Sequence, residues 1–412
     1  MNAHARNLSR FASLLAAMLV LVSACASPVA LQPTEPVVVV VDAAATATAA
    51  AAAVNAAATS AAATAGAAVV EPACETMTPI KLQLQWVVQS QFAGYFAAVD
   101  QGFYEAECLD VTILQGAVDI VPQQVLASGQ AEFAIAWVPK ALVSRQEGAD
   151  IVDIGQVFQR SGTLEVSWAD SGITKPEDWA GKKVGTWGFG NEFELLAAMT
   201  KAGLNPTSDL EIVQQPFDMS LLLNREVDAA QAMTYNEYAQ VLEATNPDTG
   251  QLYQPEDLSV INFNDVGTAM LQDAIWANAA WLAESGHEDL AVAFLRASYR
   301  GWIYCRDNFD ACVDIVLSNG PTLGRGHMAW QLNEINKLIW PSPDGIGVMN
   351  LELWDQTVEV ATDQLVINAA PSEGAFRADL STQAVADLTA EGLDAKGTNF
   401  TPRTVEITPG GE

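Results

Sequence analysis

Histidine and basic residues are scarce in this 412-residue chain. It carries three histidines and 19 Lys+Arg against 50 Asp+Glu, a formal net charge of −31. Nucleic acid and anionic lipid both demand basic patches, so neither is expected as a partner, and a polyanionic solute is disfavoured. The acidic residues form no run and read as a solvated surface. The histidines, His4, His287 and His327, are widely separated, and the cysteines lack zinc-ligand spacing, so no metal is expected. The motifs G-x-S-x-G, H-E-x-x-H and the P-loop are all missing, which removes the usual signatures of a serine hydrolase, a zinc protease and a nucleotide binder. No apolar run is long enough to span a bilayer.

At the N-terminus, Arg6 and Arg10 precede the short apolar run Phe11–Val22, the pattern of a cleaved export signal. Val22-Ser23-Ala24-Cys25 looks like a bacterial lipobox, with Cys25 as the lipidated first residue of the mature protein. An ordinary secretory signal with a chance cysteine is the plainer alternative. Residues 1–25 are therefore assigned to a signal peptide. Residues 26–73, almost wholly Ala, Thr, Val and Pro, cannot bury a core and read as a tether. The expected location is the extracytoplasmic face of the cell membrane, held by a lipid anchor. The remaining 339 residues from Cys74 exceed one compact core and suit two lobes.

Four further cysteines, Cys74, Cys108, Cys305 and Cys312, allow three disulfide connectivities in an exported protein. Cys74 and Cys108 each precede a strand, and Cys305 and Cys312 flank a helix junction. That placement favours 74–108 with 305–312.

Lys81–Tyr104 is the most informative stretch. Ile80, Leu82 and Leu84 alternate with polar residues as a half-buried strand does. Trp86 stands at the strand's end, and the loop Gln89-Ser90-Gln91 follows. Phe92, Tyr95, Phe96 and Val99 then recur at helical spacing until Gly102. In α/β sheets ligands collect at such strand-to-helix junctions. A lone Trp there serves equally well as core. Trp137, at the end of the strand Phe133–Trp137, repeats the arrangement, and two tryptophans at two strand ends suit a flat aromatic solute.

The spacing Trp86, Gly94-Tyr95-Phe96-Ala97-Ala98, Gly102-Phe103-Tyr104 resembles the opening of the NMT1/THI5-like family, solute-binding proteins of ABC importers. Ala127–Ile135, the lobe entry Trp179–Gly185 and the strand Val227–Tyr235 extend the resemblance. It implies an α/β, two-lobed periplasmic-binding-protein fold of type II, without catalysis. The lobes would comprise residues 74–168, 169–264 and 265–412, the last returning to the first lobe with a frayed tail, with hinges near 166–172 and 262–268. The glycine-rich turn Trp187-Gly188-Phe189-Gly190-Asn191-Glu192 opens a helix but has Phe193 where a dinucleotide loop needs its third glycine. In pyrimidine-binding members an aromatic-Asn-x-Glu cluster holds the ring, which points to Tyr235 and Glu237. A helix cap at Asn236 explains the same residues.

The expected ligand-binding set is Trp86, Gln89, Gln91, Phe92, Tyr95, Trp137, Trp187, Gly188, Gly190, Asn191, Glu192, Tyr235, Asn236 and Glu237. Where thiamin-pyrimidine binders have an acidic residue before the first Trp, this chain has Gln85. Glutamines and tryptophans suit a larger neutral ring system with carbonyl groups and ring nitrogens. The stretches NEFELLAA and AMTYNEYAQ resemble a riboflavin-binding branch of the family. Riboflavin is thus the expected solute, bound as cargo with no cofactor, and the partners are ABC permease subunits. A monomer is expected. The alternatives are a thiamin-precursor pyrimidine, a sulfonate or nitrate, and a pyrimidine synthase of the same fold.

Overall fold

The structure is a computed structural model that describes Cys74 and residues 76–412. Cys25, the signal peptide and the tether lie outside the described residues. Ten strands form two five-stranded sheets. The first has the order β2-β1-β3-β10-β4, from β1 (Thr78–Gln83), β2 (Leu109–Leu114), β3 (Phe133–Trp137), β4 (Ile151–Gln156) and β10 (Asp273–Asn278). The second has the order β7-β6-β8-β5-β9, from β5 (Thr163–Trp168), β6 (Lys183–Thr186), β7 (Glu211–Gln214), β8 (Ala229–Met233) and β9 (Leu258–Asn262). In each sheet the fourth strand arrives from the other lobe and runs antiparallel to its neighbours. Two exchanged strands therefore bind two α/β lobes into one molecule. Strands β3, β4 and β10 are buried along their whole length, so they do not alternate as a half-buried strand does, and β4 encloses Asp153 and Gln156.

The lobe boundaries differ from those expected. Residues 163–168, expected in the first lobe, form β5 of the second sheet, in register with Met233 and Asn262. The chain crosses at 157–162, about nine residues before the first expected hinge, and returns at 267–272, which overlaps the second. A strand such as Thr163–Trp168 looks alike in either sheet. Its membership is decided by hydrogen-bond partners far away in sequence.

The helices of the C-terminal third pack on the first sheet. His287–Asp307 crosses Ala93–Asp100 so closely that a Cβ at Gly301 would stand 2.0 Å from the Gly94 carbonyl oxygen. A Cβ at Gly94 would meet the Trp302 indole at 2.3 Å. The glycine of the opening motif thus serves helix packing. Trp276, Trp302 and Trp340 are wholly buried, and Trp354 packs against Phe376. Cys74 is bonded to Cys108 and Cys305 to Cys312, with Cα separations of 5.6 and 5.0 Å. Each closure stabilises by a few kcal/mol at most, as the short loops imply.

The tail after Pro402 is docked, where fraying was expected. The Arg403 amide donates to Asn333 Oδ1 at 2.8 Å, and the Gly410 amide to the Glu243 carbonyl at 3.0 Å. Val405 packs on the core of the first lobe and Ile407 on that of the second. Composition alone conceals this, because two apolar residues suffice to hold the segment.

Candidate functional site

Between the lobes lies a cavity of about 480 Å³. The segments following β1, β2 and β3 wall it from the first lobe, and those following β6, β7 and β8 from the second. These are the carboxyl ends of the strands, where an α/β sheet leaves backbone turns open to a ligand.

Ten of the expected residues line it: Trp86, Gln89, Gln91, Trp137, Trp187, Gly190, Asn191, Tyr235, Asn236 and Glu237. Four do not. Phe92 is fully buried beneath the floor, and Tyr95 meets Trp302 edge-on at 5.7 Å. Both belong to the core face of the helical stretch they share, whose periodicity alone does not separate core from cleft. Gly188 turns the loop, its carbonyl accepting from the Asn191 side chain at 2.7 Å. Glu192 folds back to accept from the Gly190 amide at 2.9 Å.

The cavity also takes in residues that sequence reasoning missed. Phe217, in the loop after β7, lies 4.9 Å from Trp86 and stacks at 10° to Trp187 with centroids 6.5 Å apart. Phe189 stands exposed at the rim with φ +55°. Lys140, one turn past Trp137, places its ammonium 4.9 Å over that indole and donates to Asn191 Oδ1 of the other lobe at 2.8 Å. Pro139 at the start of the helix Val138–Gln146 puts Lys140 in its first turn, a signal present in the sequence.

A buried carboxylate organises the floor. Asp273, first residue of β10, accepts from Gln85 Nε2 at 2.6 Å, Trp137 Nε1 at 2.8 Å and Gln91 Nε2 at 2.9 Å. The chain of amides continues outward, with Gln89 donating to Gln91 at 2.6 Å and Gln331 to Gln89 at 3.3 Å. Each amide is thereby fixed in one orientation, its nitrogen directed towards the carboxylate. Gln89 and Gln91 support the floor through these bonds, and Gln85, whose nitrogen is committed, keeps its oxygen as an acceptor. Burial raises the Asp273 carboxyl to about 7, against the pull of its three donors and Lys140. Burial lowers Lys140 to about 8, opposed by Glu192 and Asp273.

Asn236 occupies the N-cap position of Glu237–Leu242 but makes no capping bond. Its amide nitrogen instead donates to Glu237 Oε1 at 2.7 Å, and the other Glu237 oxygen accepts from the Met233 amide at 3.0 Å. Burial raises the Glu237 carboxyl. Arg145, Arg160 and Arg225 all bond away from the cavity, to Ile151, Leu338 and Asp170 respectively. Among the described residues no His/Cys/Asp/Glu cluster suits a metal ion, and no helix is long and apolar enough to cross a membrane.

This geometry has relatives. The formylaminopyrimidine-binding protein of Halalkalibacterium halodurans is 22% identical over 247 residues, covering 60% of this chain and 72% of that protein. The riboflavin-binding protein RibY of Chloroflexus aurantiacus is 24% identical over 304 residues, covering 71% of this chain and 83% of that one. Among solved structures, the periplasmic aliphatic sulphonate binding protein SsuA from Escherichia coli superposes with a TM-score of 0.56 at 15% identity, over 80% of this chain and 94% of that chain. The family model described as NMT1/THI5 like matches residues 89–311, more than half of the 412. The chain belongs to the NMT1/THI5-like family, and its fold is that of the periplasmic binding proteins.

Proposed function

We propose that the protein is the extracytoplasmic solute-binding component of an ABC importer, that it holds a planar heteroaromatic solute between its lobes, and that this solute is riboflavin. The observation that carries the reading is the aromatic lining, in which Trp86 and Trp137 of one lobe and Trp187, Phe217 and Tyr235 of the other wall one cavity of about 480 Å³. Flat rings favour such walls by about 1 kcal/mol per contact beyond burial. The similarity to RibY agrees with it. A thiamin-precursor pyrimidine is the second reading, favoured by the similarity to the formylaminopyrimidine-binding protein. A sulfonate fits less well, because Arg145, Arg160 and Arg225 bond elsewhere and Lys140, held beside Glu192 and Asp273, is the one cation of the described lining. The described lining holds no histidine and no cysteine, in keeping with capture without reaction.

The test is the visible spectrum of the purified protein together with a fluorescence titration of riboflavin, an aminopyrimidine and a sulfonate under matched conditions. Bound riboflavin is yellow, and its emission is quenched beside Trp or Tyr. Binding of the aminopyrimidine alone transfers the function to the second reading. The proposal extends to the anchor: Cys25→Ser should move the protein to the soluble fraction with solute binding intact. Full membrane retention of that variant removes the lipid anchor.

A further inference from the structure

Most polar side chains of the cleft are already bonded within the protein, and the Lys140 ammonium is the cation that lines it. Lys140 Nζ has three hydrogens, of which one goes to Asn191 Oδ1 at 2.8 Å. Its stem passes the loop of the second lobe at Gly190, where an added Cβ would come within 3.3 Å of Lys140 Cγ, so this glycine leaves the path open. Across the cavity, Trp187 is almost fully buried and its Nε1 has no partner among the described residues. The indole nitrogens of the core residues Trp179, Trp302 and Trp340 are likewise without a partner, so this one does not by itself mark a ligand. Lys140 and Trp187 both line the cavity, one from each lobe.

We infer that Lys140 determines specificity by donating to a ring oxygen of an oxo-substituted heteroaromatic solute, and that it thereby rejects a ring with an amino group at the same edge. The inference rests on the reading of the cleft as an aromatic-solute site and deepens it by naming the ring class. A dioxopyrimidine edge, such as riboflavin carries, offers a carbonyl oxygen to the ammonium. An aminopyrimidine brings N–H groups towards an ammonium, which has no acceptor to offer them. A phosphate ester is excluded on a different ground. The ammonium faces Glu192 and Asp273, so the site has no surplus positive charge for a dianion.

The experiment compares wild type with Lys140→Met, which keeps the stem and removes the charge, and with Lys140→Arg, which keeps the charge. Riboflavin is titrated by fluorescence quenching and 4-amino-5-hydroxymethyl-2-methylpyrimidine by calorimetry, with a thermal melt as the folding control. Lys140→Met should weaken riboflavin by tenfold or more and narrow its preference over the aminopyrimidine, and Lys140→Arg should recover part of the loss. Wild-type affinity should fall as pH rises through about 8, where Lys140 loses its proton, and Lys140→Met should show no such step. That step also decides the matter if the Met variant fails to fold. Riboflavin binding by Lys140→Met within twofold of wild type, or no pH step in wild type, overturns the role of Lys140 and leaves the riboflavin reading standing. Tighter binding of the aminopyrimidine by wild type overturns both, as does failure of riboflavin to bind a folded sample.

Discussion

The two lobes meet at the cleft and again at its flank, and the contacts differ in how completely their polar atoms are paired. At the flank, His327 of the helix Arg325–Ile339 places Nδ1 2.9 Å from Glu243 Oε1 and Nε2 2.8 Å from Asn236 Oδ1. The Asn236 amide cannot be reversed without loss, because its nitrogen donates to Glu237. The ring thus ties the lobes through both nitrogens, with Gln331 Nε2 3.3 Å from the ring Nε2. Trp330 Nε1 donates to the Thr234 carbonyl at 2.9 Å, and the docked tail ties in Glu243 through Gly410. At the cleft, by contrast, Trp187 Nε1 lacks a partner and Lys140 keeps two free hydrogens. A contact complete in itself holds the lobes together with or without solute. One left incomplete is where the proposed solute would bind.

The crossing segments form a third joint. Glu194, from the helix Phe193–Lys201, accepts from Ser161 Oγ at 2.8 Å on one crossing and from the Met270 amide at 2.7 Å on the other. Gln272 adds bonds to Thr163 at 2.6 Å and to the Gly162 amide at 2.8 Å. Lobe motion must then be absorbed by backbone torsions within a laced pair of strands.

The largest expected effect comes from removing the hub of the cleft floor. Asp273→Ala leaves Gln85, Gln91 and Trp137 without their common acceptor and should destabilise the fold by about 3 kcal/mol or more, with loss of riboflavin binding. Urea denaturation beside a titration measures it, and an unchanged midpoint would show that the floor stands without its carboxylate.

The hinge should respond to pH. Burial raises Glu194 to about 8, and Asp153 and Asp273 to about 7. Unfolded carboxyls titrate near 4, so the protonated native groups favour folding fully below that pH. This contribution disappears as pH rises through 7 to 8. The melting temperature should fall between about pH 5 and pH 9, with Glu194→Gln flattening the upper part of the profile. A Gln variant whose curve matches wild type removes Glu194 from the account.

On the cleft side, Trp86→Ala should weaken riboflavin at least tenfold, about 1.4 kcal/mol, while Trp354→Ala lowers stability without selective loss of affinity. Equal losses of affinity in the two variants would erase the distinction between cleft and core. The smallest effect is expected at the flank. His327→Ala should reduce stability by about 1 kcal/mol and speed riboflavin release severalfold in stopped flow, while Trp187→Phe at the cleft should alter affinity alone. Reversed assignments would mean that the flank, and not the cleft, responds to solute.

Much of this was legible beforehand because it rests on local periodicity. The strand before Trp86, the helix after Gln91 and the strand ending at Trp137 all follow from spacing. Side-chain roles were legible only in part. Phe92 and Tyr95 share their helical stretch with cleft-side neighbours, and only packing against Trp302 assigns Tyr95 to the core. Phe217 carries no signal at all, since a lone Phe in a loop becomes a cleft wall only when β7 sets it opposite Trp86.

By itself the sequence determined the lobed α/β class, the order of its elements and the strand ends where aromatic residues gather, because alternation, helical spacing and glycine placement act within a few residues. It also brought the four described cysteines to positions that pair. Only the tertiary structure decided which sheet receives β5, where the chain crosses and which amides are committed to Asp273. It alone revealed that Lys140 reaches the opposite lobe. Those outcomes depend on contacts between residues tens to hundreds of positions apart, and such contacts exist only once the two exchanged strands have brought the lobes face to face.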